Sequence, residues 1–175
     1  MKSVFFDRDG VINYLIDRGN MKTAPWTLNE FRFIPGAQTA VEMVRDMGYM
    51  TFLVTNQPDV LDGNLDNDIH DVIMSHCREL GFDDMLVAYE RGSAWYKPNN
   101  GMLETLIKKY DIHRDRSYLI GDRWKDIVAG HKSKLTTFLV GCEYDPPEKY
   151  EHVKPDYIVN SALHAACFIE ELEND

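Results

Sequence analysis

The sequence predicts an α/β fold in which a doubly wound parallel sheet carries helices on both faces. Short apolar runs of strand length alternate with longer segments of helical periodicity, and several of the apolar runs end directly in polar or acidic residues. A chain of 175 residues suffices for one domain of this kind. We therefore expect residues 1–175 to form a single domain, without a large cap domain.

The N-terminal half of the chain alternates predicted strands with predicted helices. Short apolar runs predict strands at residues 4–6, 49–54 and 85–88. Helical periodicity begins after Pro35-Gly36 and again near Asp68, and the second helix is expected to turn four apolar residues toward the sheet: Ile69, Val72, Ile73 and Leu80. Residues 14–30 lack periodicity, which predicts a loop over the mouth of a site.

The C-terminal half repeats this order. Apolar runs predict strands at residues 117–120, 137–140 and 157–159, the last of them at an edge of the sheet. A helix is expected after Pro98, a second ending near His131, and a third from its cap at Ser161 to Leu172. Strand, helix and strand in repeated succession is the pattern of parallel crossover units, so the predicted fold is Rossmann-like.

Composition argues against several classes of protein. The chain has 29 acidic and 19 basic residues, a formal charge of −10, and it lacks the stripe of Lys and Arg that long nucleic acids require. No apolar run approaches the roughly 20 residues of a membrane span, and no secretory segment precedes the first strand.

Three widely spaced cysteines, Cys77, Cys142 and Cys167, predict reduced thiols rather than disulfides or a zinc site. We expect a soluble, cytoplasmic protein of undetermined oligomeric state.

Two carboxylates, Asp7 and Asp9, follow the first predicted strand and are separated by one residue. A solvated turn could also use such residues, but two like charges this close are costly unless a cation or a proton lies between them. The alternative is a carboxylate nucleophile, Asp7, beside a second acid, with Mg²⁺ keeping the pair ionised. An ionised carboxylate can attack phosphorus only when the negative charge of the phosphate is masked.

Polar residues also follow other predicted strands. Thr55 and Asp122 each follow an apolar run, and Lys97 precedes a helix. Each one alone has an ordinary explanation as a turn former, a helix entry or a solvated lysine. Because ligands bind beyond the carboxyl ends of the strands in open α/β sheets, the combination predicts one site at that edge.

The stretch from Asp7 to Asn13, Asp-Arg-Asp-Gly-Val-Ile-Asn, resembles the first motif of haloacid dehalogenase-like (HAD) phosphohydrolases. The resemblance is to the branch that contains histidinol-phosphate and heptose-bisphosphate phosphatases, and it extends from Val4 to about Val140. It implies that Asp7 is the nucleophile and Asp9 the general acid and base. It also implies that Asp7, the backbone carbonyl of Asp9 and Asp122 hold Mg²⁺.

The same resemblance implies a phosphate site. Thr55 matches the hydroxyl that binds the phosphoryl oxygens, Lys97 matches the cation at that group, and Asn56 is also a residue of this branch. The implied function is a Mg²⁺-dependent phosphomonoesterase that acts through an aspartyl-phosphate on a small metabolite, a sugar phosphate such as a heptose phosphate. Histidinol phosphate and a nucleic-acid 3′-phosphate remain alternative substrates, and a phospho-accepting receiver module remains the non-enzymatic alternative.

The chain departs from the heptose-bisphosphate relatives between Tyr89 and Tyr96. This segment has neither Cys nor His, so the zinc loop of those relatives is missing and no zinc is expected. Tyr96 stands where they carry an Arg that can clamp a phosphate. Trp95 and Tyr96 either stack on a sugar or pack in the protein, and Arg123 could supply a replacement cation.

Asp126, four residues after Asp122, has two possible roles. In the first turn of a helix, its negative charge is stabilised by the positive end of the helix dipole by roughly 0.3–1 kcal/mol. Alternatively, it orients Lys97 or metal-bound water from outside the ligand set, as the resemblance implies.

Overall fold

A computed structural model describes residues 1–141 and 145–174, and a six-stranded parallel sheet runs through its centre. The strands of this sheet are β1 (Ser3–Phe6), β4 (Met50–Asn56), β5 (Asp84–Ala88), β6 (Tyr118–Gly121), β7 (Thr136–Val140) and β8 (Tyr157–Val159). Their order is β5-β4-β1-β6-β7-β8, and every neighbouring pair is parallel. The predicted parallel sheet is confirmed, with β8 at one edge.

Within the described residues, five α-helices cover the two faces of the sheet: α1 (Ala37–Asp46), α2 (Asn67–Glu79), α3 (Gly101–Tyr110), α4 (Trp124–Lys132) and α5 (Ala162–Asn174). One apolar core joins α1, α2 and α5 to the sheet, and a second core joins α3 and α4 to the opposite face. None of the described helices combines the length and the hydropathy needed to cross a membrane.

Strand β1 lies in the middle of the sheet because the chain winds outward from it in both directions. It pairs with β4 on one side and with β6 on the other. The connection from β5 returns to β6, so the order of the strands reverses beside β1. Such a reversal opens a crevice beyond the carboxyl ends of the strands, and ligands of open α/β sheets bind there.

The hairpin within residues 14–30 and the buried face of α2 differ from the expectation. Within residues 14–30, expected to lack regular structure, β2 (Ile16–Asp17) and β3 (Lys22–Thr23) form a short antiparallel hairpin. In α2, Val72 is 40% exposed, so its predicted burial is wrong. The face of α2 that meets the sheet instead follows the i, i+3, i+4, i+7 spacing of a helix: His70, Ile73, Met74 and Cys77.

Candidate active site

Asp7 lies directly beyond the carboxyl end of β1. Its backbone N–H still donates to the carbonyl of Ile120 at 2.9 Å, so the residue is held in line with the strand. Its side chain is buried, and its Oδ1 accepts a hydrogen bond from Lys97 Nζ at 2.9 Å. Burial raises the pKa of Asp7 to about 6, although the positive charge of Lys97 opposes the shift. A carboxylate with one ion-pair partner is therefore fixed at the base of the crevice.

Lys97 is the centre of this buried charge cluster. Its ammonium donates to three oxygens: Asp7 Oδ1 at 2.9 Å, Asp126 Oδ1 at 2.6 Å and the carbonyl of Val54 at 2.9 Å. Burial alone would lower the pKa of Lys97, but the two carboxylates outweigh it and the net shift is upward. Lys97 therefore carries a permanent positive charge beside Asp7.

Asn56 fixes the backbone of Lys97 through two hydrogen bonds. Its Nδ2 donates to the Lys97 carbonyl at 2.9 Å, and its Oδ1 accepts from the Lys97 N–H at 3.0 Å. Asn56 is available there because β4 continues two residues beyond the predicted end at Val54 and pairs with β5 up to Ala88. The side chain also lines the cleft, so contact with Lys97 and contact with a ligand are compatible.

Asp126 sits in the first turn of α4 and makes contacts that belong to both roles considered for it. Its Oδ2 accepts from the backbone N–H of Arg123 at 3.1 Å, which caps the helix, while its Oδ1 accepts from Lys97. Gly121 lies against it, because a Cβ at that position would be 2.2 Å from the Asp126 Cβ. One carboxylate thus joins the start of α4 to the ammonium of Lys97.

Asp122 follows β6 and is 1% exposed. It packs against Gly10, whose φ of +83° is in the left-handed region, and a Cβ on Gly10 would lie 2.1 Å from Asp122 Oδ2. Only a glycine leaves room for the carboxylate at this position. The backbone of the first motif and the side chain of Asp122 are therefore in direct contact.

The donor set fits Mg²⁺. Ligand oxygens of Asp7, Asp122 and Asp126 all lie within 4.8 Å of one another, and all three side chains are buried. Carboxylate oxygens are the donors that this ion prefers. Both oxygens of Asp126 already accept hydrogen bonds, which favours Asp7 and Asp122 as the direct ligands.

The carboxylate of Asp9 is turned toward Arg8. Arg8 is fully buried, and its guanidinium donates to Asp9 Oδ1 at 2.9 Å and to Gln57 Oε1 at 2.9 Å. Gln57 Nε2 in turn donates to Asp9 Oδ2 at 2.6 Å and to Thr55 Oγ1 at 2.8 Å. Asp9 Oδ1 also accepts a hydrogen bond from Asn13 Nδ2 at 2.9 Å. This network fixes the second acid of the motif in one orientation.

A cleft of about 420 Å³ opens above these groups, within the range typical of small-molecule sites. Of the sequence-predicted residues it is lined by Asp7, Asp9, Asn56, Lys97, Asp122, Arg123 and Asp126. Thr55 is fully buried below the lining, with its hydroxyl bonded to Gln57. Of the two aromatic residues, Tyr96 lines the cleft and packs in the second core, whereas Trp95 is absent from the lining.

Arg123 connects the cleft to the β2–β3 hairpin. Its guanidinium donates to the carbonyl of Lys22 at 3.1 Å and lies 3.5 Å from Asp145 Oδ1. Asp145 also accepts from the backbone N–H of Trp124 at 2.7 Å and from the hydroxyl of Tyr150 at 2.9 Å. A distant segment therefore caps α4 at the cleft.

Sequence reasoning missed Arg8, Lys125 and Asp145 as residues of this region. An arginine between two acids at the end of a buried strand was a usable signal for Arg8, since a buried guanidinium needs carboxylate or amide partners. Nothing in the local sequence marks Lys125 or Asp145. Among the described residues, Cys77 and Cys167 form no disulfide, and Cys142 lies outside the described residues, so the reduced state of all three thiols stays a prediction.

Known proteins of one family resemble this chain in sequence and in fold. A model of the HAD-hydrolase-like family matches residues 94–165. A D-glycero-beta-D-manno-heptose-1,7-bisphosphate 7-phosphatase of Helicobacter pylori strain J99 is 30% identical over 149 residues, covering 79% of this chain and 82% of that protein. The chain belongs to the HAD-like phosphatase family. It is a phosphoric monoester hydrolase.

Other HAD-like phosphatases resemble the chain over its whole length. The enzyme of the same name from Haemophilus ducreyi is 29% identical over 186 residues, which is 96% of this chain and 98% of that protein. Among solved structures, the D,D-heptose 1,7-bisphosphate phosphatase from B. bronchiseptica, complexed with magnesium and phosphate, has a TM-score of 0.83. That structure is 22% identical and covers 100% of both chains, so it supports the HAD-like fold.

Proposed function

We propose that this HAD-like phosphatase hydrolyses a small phosphorylated metabolite, a sugar phosphate, with heptose phosphates as the first class to test. The observation that carries the proposal is the buried cluster of Asp7, Lys97, Asp122 and Asp126 at the base of an open cleft. The names of the H. pylori and H. ducreyi relatives support a phosphorylated heptose.

In the proposed reaction, an Asp7 oxygen attacks phosphorus and the bond to the leaving oxygen breaks. This gives an aspartyl-phosphate on Asp7 and an alcohol, and water then displaces the carboxylate to release inorganic phosphate. Asp9 is proposed to protonate the leaving oxygen in the first step and to deprotonate water in the second. Its carboxylate has to rotate from the Arg8 and Gln57 network toward the cleft, which it already lines.

We propose Mg²⁺ as the cofactor, held by the carboxylates of Asp7 and Asp122 and by the backbone carbonyl of Asp9. When bound, it supplies positive charge that masks the phosphate and keeps neighbouring carboxylates ionised. Asp126 is proposed to act from outside the ligand set by orienting Lys97. We expect no stoichiometric zinc, because the oxygen donors suit a harder cation, and elemental analysis of the purified protein tests this.

The remaining residues are proposed to bind the phosphoryl group. The Lys97 ammonium, which already lies 2.9 Å from Asp7 Oδ1, offsets negative charge as the phosphate approaches. The Thr55 hydroxyl is proposed to bind a phosphoryl oxygen in place of its present partner, Gln57. Asn56 is proposed to hold Lys97 in position. Arg123 is proposed to bind the part of the substrate that lies beyond the reacting group.

Phosphate release from a substrate panel tests the proposal. The panel contains heptose phosphates, other sugar phosphates, histidinol phosphate and a 3′-phosphorylated oligonucleotide. We expect a Mg²⁺-dependent rate that is highest for a sugar phosphate. Preference for histidinol phosphate or for the oligonucleotide would replace the sugar-phosphate assignment, and the formal charge of −10 argues against the oligonucleotide.

We also propose that residues 1–175 act as one phosphatase domain in the cytoplasm. The free thiols Cys77 and Cys167 suit a reducing compartment.

A further inference from the structure

Gln57 is a fully buried residue directly after β4, and its side chain joins two groups of the site. The amide nitrogen, Nε2, donates to the Thr55 hydroxyl at 2.8 Å and to Asp9 Oδ2 at 2.6 Å. The amide oxygen accepts from Arg8 Nη2 at 2.9 Å, and the backbone N–H donates to the carbonyl of Ala88 at 2.8 Å. The backbone of Gln57 is therefore fixed to the sheet, and both hydrogens of its amide are used inside the protein.

The partners of Gln57 determine how its amide is oriented. A guanidinium can only donate hydrogen bonds, so the amide oxygen has to face Arg8 and the nitrogen is left for Asp9 and Thr55. Both N–H groups belong to one planar amide. A turn of the amide that breaks the bond to Thr55 therefore also disturbs the bond to Asp9.

The two oxygens of Asp9 are held in different ways. Oδ1 accepts from Arg8 Nη2 at 2.9 Å, from Arg8 Nε at 3.2 Å and from Asn13 Nδ2 at 2.9 Å. Oδ2 accepts from Gln57 at 2.6 Å and has a longer contact of 3.2 Å with Arg8 Nη2. Loss of the Gln57 bond frees Oδ2 while Oδ1 keeps its donors. Asp9 can then present one oxygen to the cleft without leaving the buried guanidinium unpaired, which would be costly.

Occupation of Thr55 by a phosphoryl oxygen would break its bond with Gln57 and leave one N–H of the buried amide without an acceptor, which is unfavourable. We propose that Gln57 is a positioning residue that responds to a phosphoryl group at Thr55 by releasing Asp9 Oδ2 toward the cleft. Gln57 thus holds the acid–base residue in its resting orientation until the phosphoryl group is bound. This inference rests on the proposed phosphatase function.

The proposal predicts an unusual sign for the effect of a substitution on phosphate binding. Because the bond between Gln57 and Thr55 exists only in the resting state, phosphate has to break it in order to bind. Gln57→Met removes the amide and keeps a similar length. In the presence of Mg²⁺, we expect this variant to bind inorganic phosphate about threefold to tenfold more tightly than the wild type, as measured by calorimetry. Disturbed packing at the site would weaken binding instead.

Two further variants show whether the effect passes through the Thr55 hydroxyl. Thr55→Val removes the hydroxyl, and in this background Gln57→Met should change the affinity for phosphate by less than about twofold. Gln38→Met is the matched control, because Gln38 is exposed on α1 and bonds to Glu42 far from the cleft lining. The control should leave the affinity for phosphate unchanged.

The link to Asp9 is measured in the wild type, so it does not depend on the folding of a variant. The two hydrogens on Gln57 Nε2 give separate NMR resonances, one for the bond to Thr55 and one for the bond to Asp9. Their absence from the spectrum of Gln57→Met, or of Gln57→Glu, assigns them. We expect inorganic phosphate to shift both resonances.

Three outcomes overturn the inference and leave the proposed function intact. They are a folded Gln57→Met that binds phosphate no more tightly than the wild type, a tightening that persists in Thr55→Val, and a resonance of the Asp9-bonded hydrogen that phosphate does not shift. If the wild type cleaves no phosphomonoester in the presence of Mg²⁺, the proposed function itself fails.

Discussion

The base of the cleft and its rim are built in different ways. At the base, Asp7, Lys97 and Asp126 are 8%, 3% and 1% exposed, and they bond to one another. At the rim, Arg91 has a side chain that is 58% exposed and pairs with Asp62 from one loop to another. At the base, Asp7 follows β1, Asp126 lies in α4, and Lys97 is tied by its backbone to Asn56 at the end of β4, whereas the rim pair joins two loops.

This difference predicts where substitutions act. A change at the base disturbs buried charges that have no water to replace a lost partner, so its effect on activity should be large. A change at the rim alters contacts that water can replace, so its effect should be small and should depend on the substrate.

The largest effect is expected from Asp7→Asn. The amide keeps the shape of the side chain but cannot attack phosphorus, so kcat should fall by about a thousandfold or more. A Mg²⁺-dependent phosphate-release assay measures this, with Asp115→Asn, an exposed residue outside the cleft lining, as the control. If Asp7→Asn retained more than a few per cent of the wild-type rate, Asp7 would not be the nucleophile.

Asp7→Asn should raise the stability of the metal-free protein although it abolishes activity. Burial raises the pKa of Asp7 from 3.8 to about 6, so this carboxyl ionises more easily in the unfolded chain. In the metal-free wild type, Asp7 therefore contributes a loss of stability as pH rises from about 4 to 6. Asp7→Asn lacks this loss, and Lys97 keeps Asp126 as a partner. With a chelator present, the Tm of the variant should exceed that of the wild type at pH 7, and the difference should disappear near pH 4.

Gly10→Ala should weaken metal binding at the base. The added Cβ would lie 2.1 Å from Asp122 Oδ2, so the carboxylate has to move. We expect the Mg²⁺ concentration for half-maximal rate to rise by about 10–100-fold. Gly63→Ala is the matched control, because Gly63 has a similar φ of +78° and an added Cβ there would have nothing within 4 Å. Equal effects of the two variants on the Mg²⁺ titration would attribute the loss to backbone strain instead.

Asp126→Asn tests which of two roles Asp126 has: capping α4 or orienting Lys97. Because the carboxylate contacts both the Arg123 N–H and the Lys97 ammonium, we expect about a tenfold rise in the Mg²⁺ requirement together with a small drop in Tm. Asp68→Asn, in the exposed first turn of α2, is the control for the helix-dipole contribution. A lower Tm with an unchanged Mg²⁺ titration would leave Asp126 with the capping role alone.

Arg91→Met is expected to have the smallest effect of this series. Its pair with Asp62 is exposed, and such pairs contribute about 0.2–1 kcal/mol. The Tm and the rate with p-nitrophenyl phosphate should change little, while kcat/KM for a sugar phosphate, which is large enough to reach the rim, should fall by about twofold to threefold. A rise of about tenfold in the Mg²⁺ requirement, as expected for Asp126→Asn, would place Arg91 with the base and break the distinction between the two regions.

The parts of the molecule that could be predicted from the sequence are those fixed by short-range pattern. Apolar runs located the parallel strands, and the carboxyl end of a strand places Asp7 and Asp122 at one edge regardless of loop detail. For Asp126, the first-turn position followed from the sequence and the contact with Lys97 was one alternative implied by the resemblance, whereas its hydrogen bond from the Arg123 N–H was not predicted.

The remaining features depend on contacts between distant segments. Asp145 caps α4 from about twenty residues away, and Lys125 in α4 meets the ring of Tyr96, which lies in the loop before α3, so neither position has a local signature. The burial of Val72 was predicted wrongly because an apolar pattern of this length fits more than one choice of buried helix face. His70 lies on the face that is buried in the structure, but histidine counts as polar in a sequence pattern. His70 is accommodated there by a 3.0 Å contact between its Nε2 and the Tyr89 hydroxyl.

Chemical trapping of the phosphoryl group on Asp7 tests the proposed mechanism at its first step. The enzyme is mixed with Mg²⁺ and a substrate, quenched in acid within one turnover and treated with borohydride, which reduces an aspartyl-phosphate to homoserine. Peptide mass spectrometry then locates the modified residue. We predict homoserine at position 7, dependent on both substrate and Mg²⁺; reduction at another carboxylate, or an unmodified position 7 during demonstrated turnover, would contradict the mechanism.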